Sequence, residues 1–487
     1  MQIINKPQML QPKAGLKRLW SIVMVLLGLI GALIPLLPEE YILLLAVLLV
    51  GLPFAGLVVS RSTRYTAVIL LLAFVPLTSI LKAITGSRFA PLTFDLGLLL
   101  ACALHLIENL LRRKFRLGWI DIVFGLFFIL AFLQMFNPNV PNFQAGVEGF
   151  RKFAFMSITF YIGRHMLRSG DIPFLRTALM VVSVPITLYG IKQFFFISAI
   201  DYRMVELATA DISTYFMGGW LRPFSTLPGP FQLGLYLVVL ILLFIVQTGN
   251  KIQKLSTRFL MKAVLVLQII VLLMTRTKGN WGGLIVGLVI LLLLQTRSSW
   301  KLVIKLSRFA LLGGIIVTLI LAFVSEAASK VLVDAIFAIT HPLQAATFQF
   351  RLQLWQETII PALVEHPWIG YGTSSAGEGL QNLYVGTTSS FFFSHNLFIK
   401  VLLELGIPGL ILFLFMMWSS LRRGWVSLRR NIVLSKEGKE VLQWSGAVVM
   451  SFLVAGLVIP TLDAYPANYY FWLLLGLLSK GVTIRNG

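Results

Sequence analysis

The sequence predicts an all-α, polytopic membrane protein with about 14 transmembrane helices and one large outward loop. Three observations support this prediction. The chain has 487 residues, of which 57% are hydrophobic and only 12% are charged, a composition typical of integral membrane proteins. Its apolar runs reach the roughly 17–25 residues with which a helix crosses a bilayer. The basic residues fall in the gaps between those runs, where membrane topology requires them.

The predicted spans follow one another along the chain, and most of them are separated by short gaps. They cover residues 18–37, 41–60, 65–82, 92–111, 119–135, 150–167, 174–196, 228–247, 259–275, 281–296, 308–324, 396–418, 444–462 and 466–482. The single cysteine, Cys102, lies inside an apolar run, which excludes an intrachain disulfide and a cysteine-rich zinc site. We therefore expect one integral membrane domain over residues 1–487, without a second soluble domain.

The distribution of positive charge predicts the orientation. Basic residues concentrate in every second gap, so both termini and the 421–440 gap are predicted to be cytoplasmic. The gaps at 198–227 and 325–394 are then outside, and the second is a large extracytoplasmic loop. The formal net charge of +22 is spread over the whole chain. This spread indicates membrane lipids as neighbours and no nucleic-acid partner, and the expected location is the cytoplasmic (inner) cell membrane.

The stretch from His395 to Gly409 is the point where a long polar loop meets a predicted span. Ser394 is the expected N-cap, which places His395 in the first helical turn at the water–lipid boundary. The positive end of the helix dipole there disfavours the imidazolium and keeps a neutral imidazole available as a base. Gly406 and Gly409 allow another backbone to approach closely. The alternative is a histidine that only caps or anchors the helix.

The pattern of His395-Asn396, nine residues, Gly406, two residues and Gly409 resembles the late motif of the O-antigen ligase and polymerase family of bacterial membrane glycosyltransferases. Three further stretches strengthen the resemblance and occur in the family's order. They are residues 221–225, residues 275–281, and residues 351–355 continuing to 366–372. The resemblance implies a fold like that of membrane glycosyltransferases that use lipid-linked sugar donors. It also implies a metal-independent reaction, so no cofactor is expected.

Four basic residues of these stretches lie in gaps that are predicted to be outside, where basic residues are few: Arg222, Arg276, Lys278 and Arg351. A guanidinium binds two phosphate oxygens at once, which suits the diphosphate of an isoprenoid lipid carrier such as undecaprenyl diphosphate. We therefore expect these residues to bind a lipid-diphosphate-linked oligosaccharide donor. The alternative is that they are interfacial anchors with snorkelling side chains.

His395 is the predicted general base, which removes the proton of an acceptor sugar hydroxyl as it attacks the donor. Asn396 is expected either to orient that acceptor or to cap the helix. Lys400 and Glu404, four residues apart on one helix face, are expected to neutralise each other. The acidic residues of the two long outward gaps are scattered without metal-ligand spacing, which favours a metal-independent site facing the extracytoplasmic side.

Three acceptors remain open: another lipid-linked repeat, a lipid A core, or a protein hydroxyl. We favour the first, which makes the chain a polymerase of a cell-surface polysaccharide, and an O-antigen ligase is the alternative. A polysaccharide transporter or flippase ranks lower, because the chain has no paired halves with matching broken helices. The large loop is expected to lie on the membrane as a roof over the site, and Gly370, Gly372 and Gly377 are expected to let that roof move.

Overall fold

The computed structural model describes most of the chain beyond residue 50. It covers residues 51, 53–57, 59–87, 91–113, 117–208, 215–217, 220–248, 255–295, 333, 337, 341, 344, 346–377, 380–429 and 435–481. These residues are almost entirely helical, which confirms the predicted all-α class. The strands seen in this part are β1 (Phe216–Met217) and β2 (Trp220–Leu221), which pair antiparallel.

The helices are labelled here in chain order within the described residues. They are α1 (Arg61–Phe74), α2 (Thr78–Thr85), α3 (Leu92–Leu111), α4 (Trp119–Leu133), α5 (Phe143–Phe153), α6 (Ile158–Tyr161), α7 (Ile172–Phe195), α8 (Ala199–Glu206), α9 (Pro230–Thr248), α10 (Leu255–Met274), α11 (Lys278–Gln295), α12 (Ala346–Leu354), α13 (Ile360–Glu365), α14 (Leu397–Arg429), α15 (Lys436–Ala455) and α16 (Ala467–Lys480).

Eight stretches of the described residues are long and apolar enough to cross a membrane. They are Thr63–Thr85, Leu92–Leu111, Trp119–Phe136, Ser169–Phe195, Pro230–Thr248, Leu255–Met274, Lys278–Gln295 and Leu397–Arg429. Each of them coincides with a predicted span. The predicted spans at 18–37 and 308–324, and most of 41–60, lie outside the described residues, so the count of about 14 stays a prediction.

The predicted span at 150–167 is not one continuous helix. The chain passes there through α5, a 3₁₀ turn (Phe155–Ser157), α6 and a π turn (Ile162–Met166). Close packing on α16 explains the irregularity, because a Cβ at Gly163 would overlap the Leu473 carbonyl oxygen. The Thr159 hydroxyl donates to the backbone of α16 at the Tyr469 carbonyl (2.9 Å). Irregular backbone at this depth is tolerated because the protein, rather than lipid, surrounds it.

Helices α9, α15 and α16 form the centre of the bundle. Every residue of α16 from Ala467 to Ser479 is buried. Helix α11 packs closely against α15, where a Cβ at Gly287 would overlap the Ser451 hydroxyl. The outer helices α3, α4, α10 and α11 leave most of their surface uncovered, and this surface is apolar enough to face lipid.

The turns that carry the predicted site gather at one end of the bundle, which we call the His395 end. It comprises residues 137–142, 222–229, 275–277, 366–396 and 456–466, with 378–379 outside the described residues. Hydrogen bonds join these turns to one another and to the ends of α4, α7 and α14. The opposite end is joined by ion pairs between helices: Arg64–Glu108, Arg164–Asp121 and Arg176–Glu440. Which end faces the cytoplasm stays a prediction.

Candidate active site

The start of α14 differs from the sequence prediction by two residues. Asn396, rather than Ser394, is the N-cap: its side-chain oxygen accepts from the backbone N–H groups of Phe398 (2.8 Å) and Ile399 (3.1 Å). The Asn396 amide also donates to the Leu457 carbonyl (2.9 Å). His395 therefore lies just before the first turn, in the left-handed region (φ +46°), and the prediction that it belongs to that turn is wrong.

His395 is held between two parts of the segment that joins α12 to α14. The Trp355 indole donates to the Ser394 carbonyl (3.1 Å) on one side. On the other side the His395 ring stacks on Phe393, with ring centroids 6.2 Å apart and an interplanar angle of 23°. Burial lowers the pKa of His395, and the charge of Arg351 lowers it further. The imidazole is therefore neutral at neutral pH. The cause is burial together with a neighbouring cation, rather than a position in the first helical turn.

Arg351 lies on α12 and is half-buried. Burial lowers the pKa of its guanidinium, which nonetheless remains charged. Within the described part of the chain, no hydrogen bond or ion pair holds this guanidinium. A half-buried cation beside His395 gives this part of the site affinity for an anion.

Arg222 and Arg276 form a second group of cations at the same end. The Arg222 Nε donates to the Thr275 carbonyl (2.9 Å), and its Nη2 donates to the Thr277 hydroxyl (3.2 Å). Burial lowers the pKa of Arg222, and the nearby charge of Arg276 adds to this effect. Two half-buried guanidinium groups held close together favour an anion between them.

Gln193 holds the turn that follows Arg222, and the sequence analysis missed this residue. Its side-chain oxygen accepts from the backbone N–H groups of Phe224 (3.2 Å) and Ser225 (2.5 Å), and its amide donates to the Ser225 carbonyl (3.0 Å). The same amide donates to Asp201 (2.8 Å). Burial raises the pKa of Asp201, but hydrogen bonds, foremost from Lys192, outweigh burial and lower it. A glutamine at the end of an apolar span carries no distinctive sequence signal.

Lys278 is the first residue of α11 and is half-buried at the His395 end. The next residue, Gly279, packs against Val458 and Ile459. The same turn receives the Asn396 amide at Leu457, described above. The turn at 456–459 therefore connects the pair of Arg222 and Arg276 with the pair of Arg351 and His395.

Backbone strain marks the same end of the bundle. Five non-glycine residues of the described part have positive φ: Arg113, Ser225, Arg276, Ser374 and His395. The last four belong to the His395 end, and two of them are predicted site residues. Such conformations persist only where the surrounding structure holds them, and they concentrate at functional sites.

The segment from Gly370 to Gly377 packs into the bundle, whereas its expected mobility stays a prediction. Thr373, Ser374 and Ser375 are fully buried. The backbone N–H of Tyr371 donates to the Leu403 carbonyl (2.7 Å). Hydrogen bonds and burial hold this segment against α14 and the 134–146 region.

The two glycine-containing motifs meet where α14 is broken. Gly406 has φ +67° and ψ −173° and interrupts the helix. A Cβ at this position would overlap the Trp368 carbonyl oxygen, and the Ile407 N–H donates to the Pro367 carbonyl (2.9 Å). Gly406 thus permits the close backbone approach that its motif predicts, whereas a Cβ at Gly409 would meet Leu405 of its own helix.

Lys400 and Glu404 of α14 form a buried cluster of three charges with Asp463, which lies in a 3₁₀ turn (Thr461–Asp463). The Lys400 ammonium contacts the Glu404 carboxylate at 2.6 Å, as predicted from their spacing, and also the Asp463 carboxylate at 3.3 Å. Asp463 was missed, because its separation along the chain gives no periodic signal. In the described residues, no group of three or more His, Cys, Asp or Glu side chains is arranged to hold a metal ion. Metal independence itself stays a prediction.

Comparison with protein families identifies the region that carries this geometry. The family model described as O-antigen ligase matches residues 263–414. This part of the chain is similar to the O-antigen ligase family. The matched O-antigen ligase region contains Arg276, Lys278, Arg351, His395 and Asn396, whereas Arg222 precedes it. The resemblance inferred from the motifs is therefore confirmed.

The match also supports the broader character of the chain. Members of the O-antigen ligase family are glycosyltransferase-like enzymes of ligase or polymerase type. Together with the apolar helices, the family indicates a multi-pass membrane protein that acts on a lipid-linked polysaccharide. No curated protein matches the chain.

Proposed function

We propose that the chain transfers an oligosaccharide from a lipid diphosphate to a hydroxyl group at the His395 end of the bundle. The observation that carries this proposal is a neutral, half-buried His395 beside the Arg351 cation, at the same end as the paired Arg222 and Arg276. A base and separate cationic groups are what a transfer from a diphosphate leaving group requires.

In the proposed reaction the acceptor oxygen attacks the anomeric carbon of the donor sugar. The bond between that carbon and the phosphate oxygen breaks, and the diphosphate leaves with the electron pair. His395 takes the proton of the acceptor hydroxyl. Arg222 and Arg276, with Lys278 nearby, neutralise the charge of the diphosphate and so stabilise its departure. Arg351 makes the imidazolium unfavourable, which promotes release of the proton after transfer.

Asn396 supports the base by fixing the backbone beside it. Its side-chain oxygen and amide already bind Phe398, Ile399 and Leu457. We therefore propose that it holds His395 at the end of α14. A direct contact with the acceptor would use the second N–H of the Asn396 amide, because its oxygen already accepts two hydrogen bonds.

The base assignment is tested by comparing two histidines of the same outward segment. His395→Ala should reduce transfer by on the order of 10²–10⁴-fold, because the attacking hydroxyl loses its proton acceptor. His366→Ala is the matched control, since His366 lies at the end of α13 with its ring against Tyr371, and it should retain the parental rate. Parental transfer by folded His395→Ala protein would show that another group acts as the base.

For the acceptor we propose a second lipid-linked repeat, which makes the chain a polymerase on the outer face of the cytoplasmic membrane. Ligation is the second candidate, because the matching family is described as O-antigen ligase. The family match supports both equally.

The two candidates give different products from the same purified protein. Given only a single lipid-linked repeat, a polymerase should yield a ladder of longer lipid-linked products, visible by gel or mass spectrometry. His395→Ala protein is the negative control. Transfer that occurs only after a lipid A core or a protein acceptor is added, without any ladder, would establish the ligase instead.

A further inference from the structure

We propose that Glu404 is a positioning residue for His395, acting through the buried segment 372–377 rather than through its charge. The proposal rests on the proposed role of His395. Glu404 lies on α14, nine residues after His395, and the Lys400 ammonium contacts both Glu404 and Asp463. The side chains of all three have at most 1% of their surface exposed.

Lys400 has two carboxylate partners in this cluster. Two carboxylates, Glu404 and Asp463, share the single ammonium of Lys400, which also lies over the Phe153 ring at 4.9 Å. Burying an unpaired charge away from water costs free energy, whereas one ammonium paired with one carboxylate carries no net charge. Replacing one carboxylate by a neutral amide therefore leaves Lys400 with a partner. The negative charge of Glu404 is dispensable as long as Asp463 remains.

What Glu404 supplies beyond charge is a hydrogen-bond acceptor for a strained loop. Its Oε1 accepts from the backbone N–H groups of Ser374 and Ala376, each at 3.2 Å. Ser374 has φ +98°, a conformation that needs support from outside the loop. The side chain of Glu404 provides this support from the helix that begins next to His395.

Two routes lead from this loop to His395. In the first, the carbonyl between the two anchored N–H groups, that of Ser375, accepts from the Phe392 N–H (2.8 Å). The next residue, Phe393, stacks on the His395 ring. The loop therefore holds the backbone at Phe392, and so the position of the Phe393 ring that stacks on His395.

The second route runs through aromatic side chains. The Ser374 hydroxyl lies 2.8 Å from the Tyr384 hydroxyl. The Tyr384 ring contacts Phe391 with centroids 5.3 Å apart, and Phe391 contacts Phe393 at 5.2 Å. Both routes end at Phe393. Displacement of the 372–377 loop is therefore expected to move the Phe393 ring, which stacks on the His395 imidazole.

The test compares Glu404→Ala, which removes the acceptor, with Glu404→Gln, which keeps it. Glu404→Ala should raise hydrogen–deuterium exchange in the peptides covering 372–377 and 390–396. It should lower kcat by about 10–100-fold with little change in KM, because a small displacement of the His395 imidazole slows the chemical step more than it weakens substrate binding. Glu404→Gln should restore both exchange and kcat. Glu440→Ala and Glu440→Gln, which alter the ion pair with Arg176 at the opposite end, are the matched controls and should change neither peptide.

Several outcomes would overturn the proposal. Unchanged exchange at 390–396 in Glu404→Ala would show that the relay does not exist, and a defect of Glu404→Gln as large as that of Glu404→Ala would show that the charge is needed. If Glu404→Ala does not fold, Tyr384→Phe removes the hydroxyl at Ser374 and should raise exchange at 390–396. An active His395→Ala protein would refute the proposed base, while the exchange results would still test the relay.

Discussion

At the scale of single residues, the site depends on how burial and neighbouring charge set protonation. His395 has no carboxylate partner among the described residues to stabilise its imidazolium; burial and Arg351 both lower its pKa. A histidine in a catalytic triad is oriented by a carboxylate, whereas burial and a neighbouring cation keep this one neutral. His395 should therefore stay deprotonated under mildly acidic conditions.

The pH profile of transfer should reveal the influence of Arg351. With His395 as the proposed base, transfer requires its neutral form, so kcat/KM should fall on the acidic side as the pH drops through the pKa of His395. Arg351→Ala removes a nearby positive charge, which raises the pKa of His395 and should move the acidic limb of the profile to higher pH. Arg351→Lys keeps the charge and should leave the limb in place, even if donor binding weakens through loss of the planar fork. If the acidic limb of the profile does not move in Arg351→Ala, the charge of Arg351 does not affect the pKa of His395.

At the scale of elements, α14 organises the site through its cap and its break. Asn396 ends the segment that joins α12 to α14 and binds it to the turn after α15. Gly406 interrupts the helix and contacts the backbone of residues 367–369. The joining segment is thus attached at two points of one helix, and Glu404 lies between them. This arrangement explains how a long polar connection is held in one conformation.

Replacing Gly406 by alanine should destabilise the protein through two effects. Its positive φ is unfavourable for a residue with a Cβ, and that Cβ would overlap the Trp368 carbonyl oxygen. The expected loss in unfolding free energy is at least about 1–3 kcal/mol, measured as a lower melting temperature in detergent. Gly125→Ala, in α4 with nothing within 4 Å of the added Cβ, is the control and should be neutral or slightly stabilising. Equal melting temperatures for both variants would contradict the described break.

At the scale of the whole molecule, the two ends of the bundle differ in the residues that they carry. The His395 end combines His395, arginines and strained turns, whereas the opposite end is joined by ion pairs such as Arg176–Glu440 at 2.9 Å. Apolar side chains of the segment that joins α12 to α14 remain exposed near His395, with Trp368 at 67% and Ile369 at 65%. Exposed apolar residues next to membrane helices suit a position at the lipid surface.

The orientation of the bundle is testable with two single cysteines. In a Cys102→Ala background, Thr388→Cys marks the exposed outward segment and Glu437→Cys marks the start of α15. A membrane-impermeant thiol reagent applied to intact cells should label position 388 and not 437, because positive charge concentrates in the 421–440 gap. Permeabilised cells serve as the control for reactivity at both positions. The reverse labelling pattern would place the His395 end in the cytoplasm.

The sequence by itself determined the features that depend on local composition and spacing. Apolar runs predict the spans that contain α3, α4, α7, α9, α10 and α11 closely, because bilayer thickness sets helix length independently of packing. The motif around His395 led to the family, and the spacing of Lys400 and Glu404 predicted their ion pair. These inferences needed only residues close together in the chain.

The tertiary structure decided what depends on contacts between distant residues. Asn396 replaces Ser394 as the cap because Leu457 binds its amide, and the glycines at 370 and 372 belong to a segment that packs into the bundle because α14 and the 134–146 region bury it. The third charge, Asp463, meets Lys400 from another part of the chain. Gln193 holds the Arg222 turn across a gap in sequence. Each depends on side chains brought together by helix packing, and sequence periodicity carries no record of which helices become neighbours.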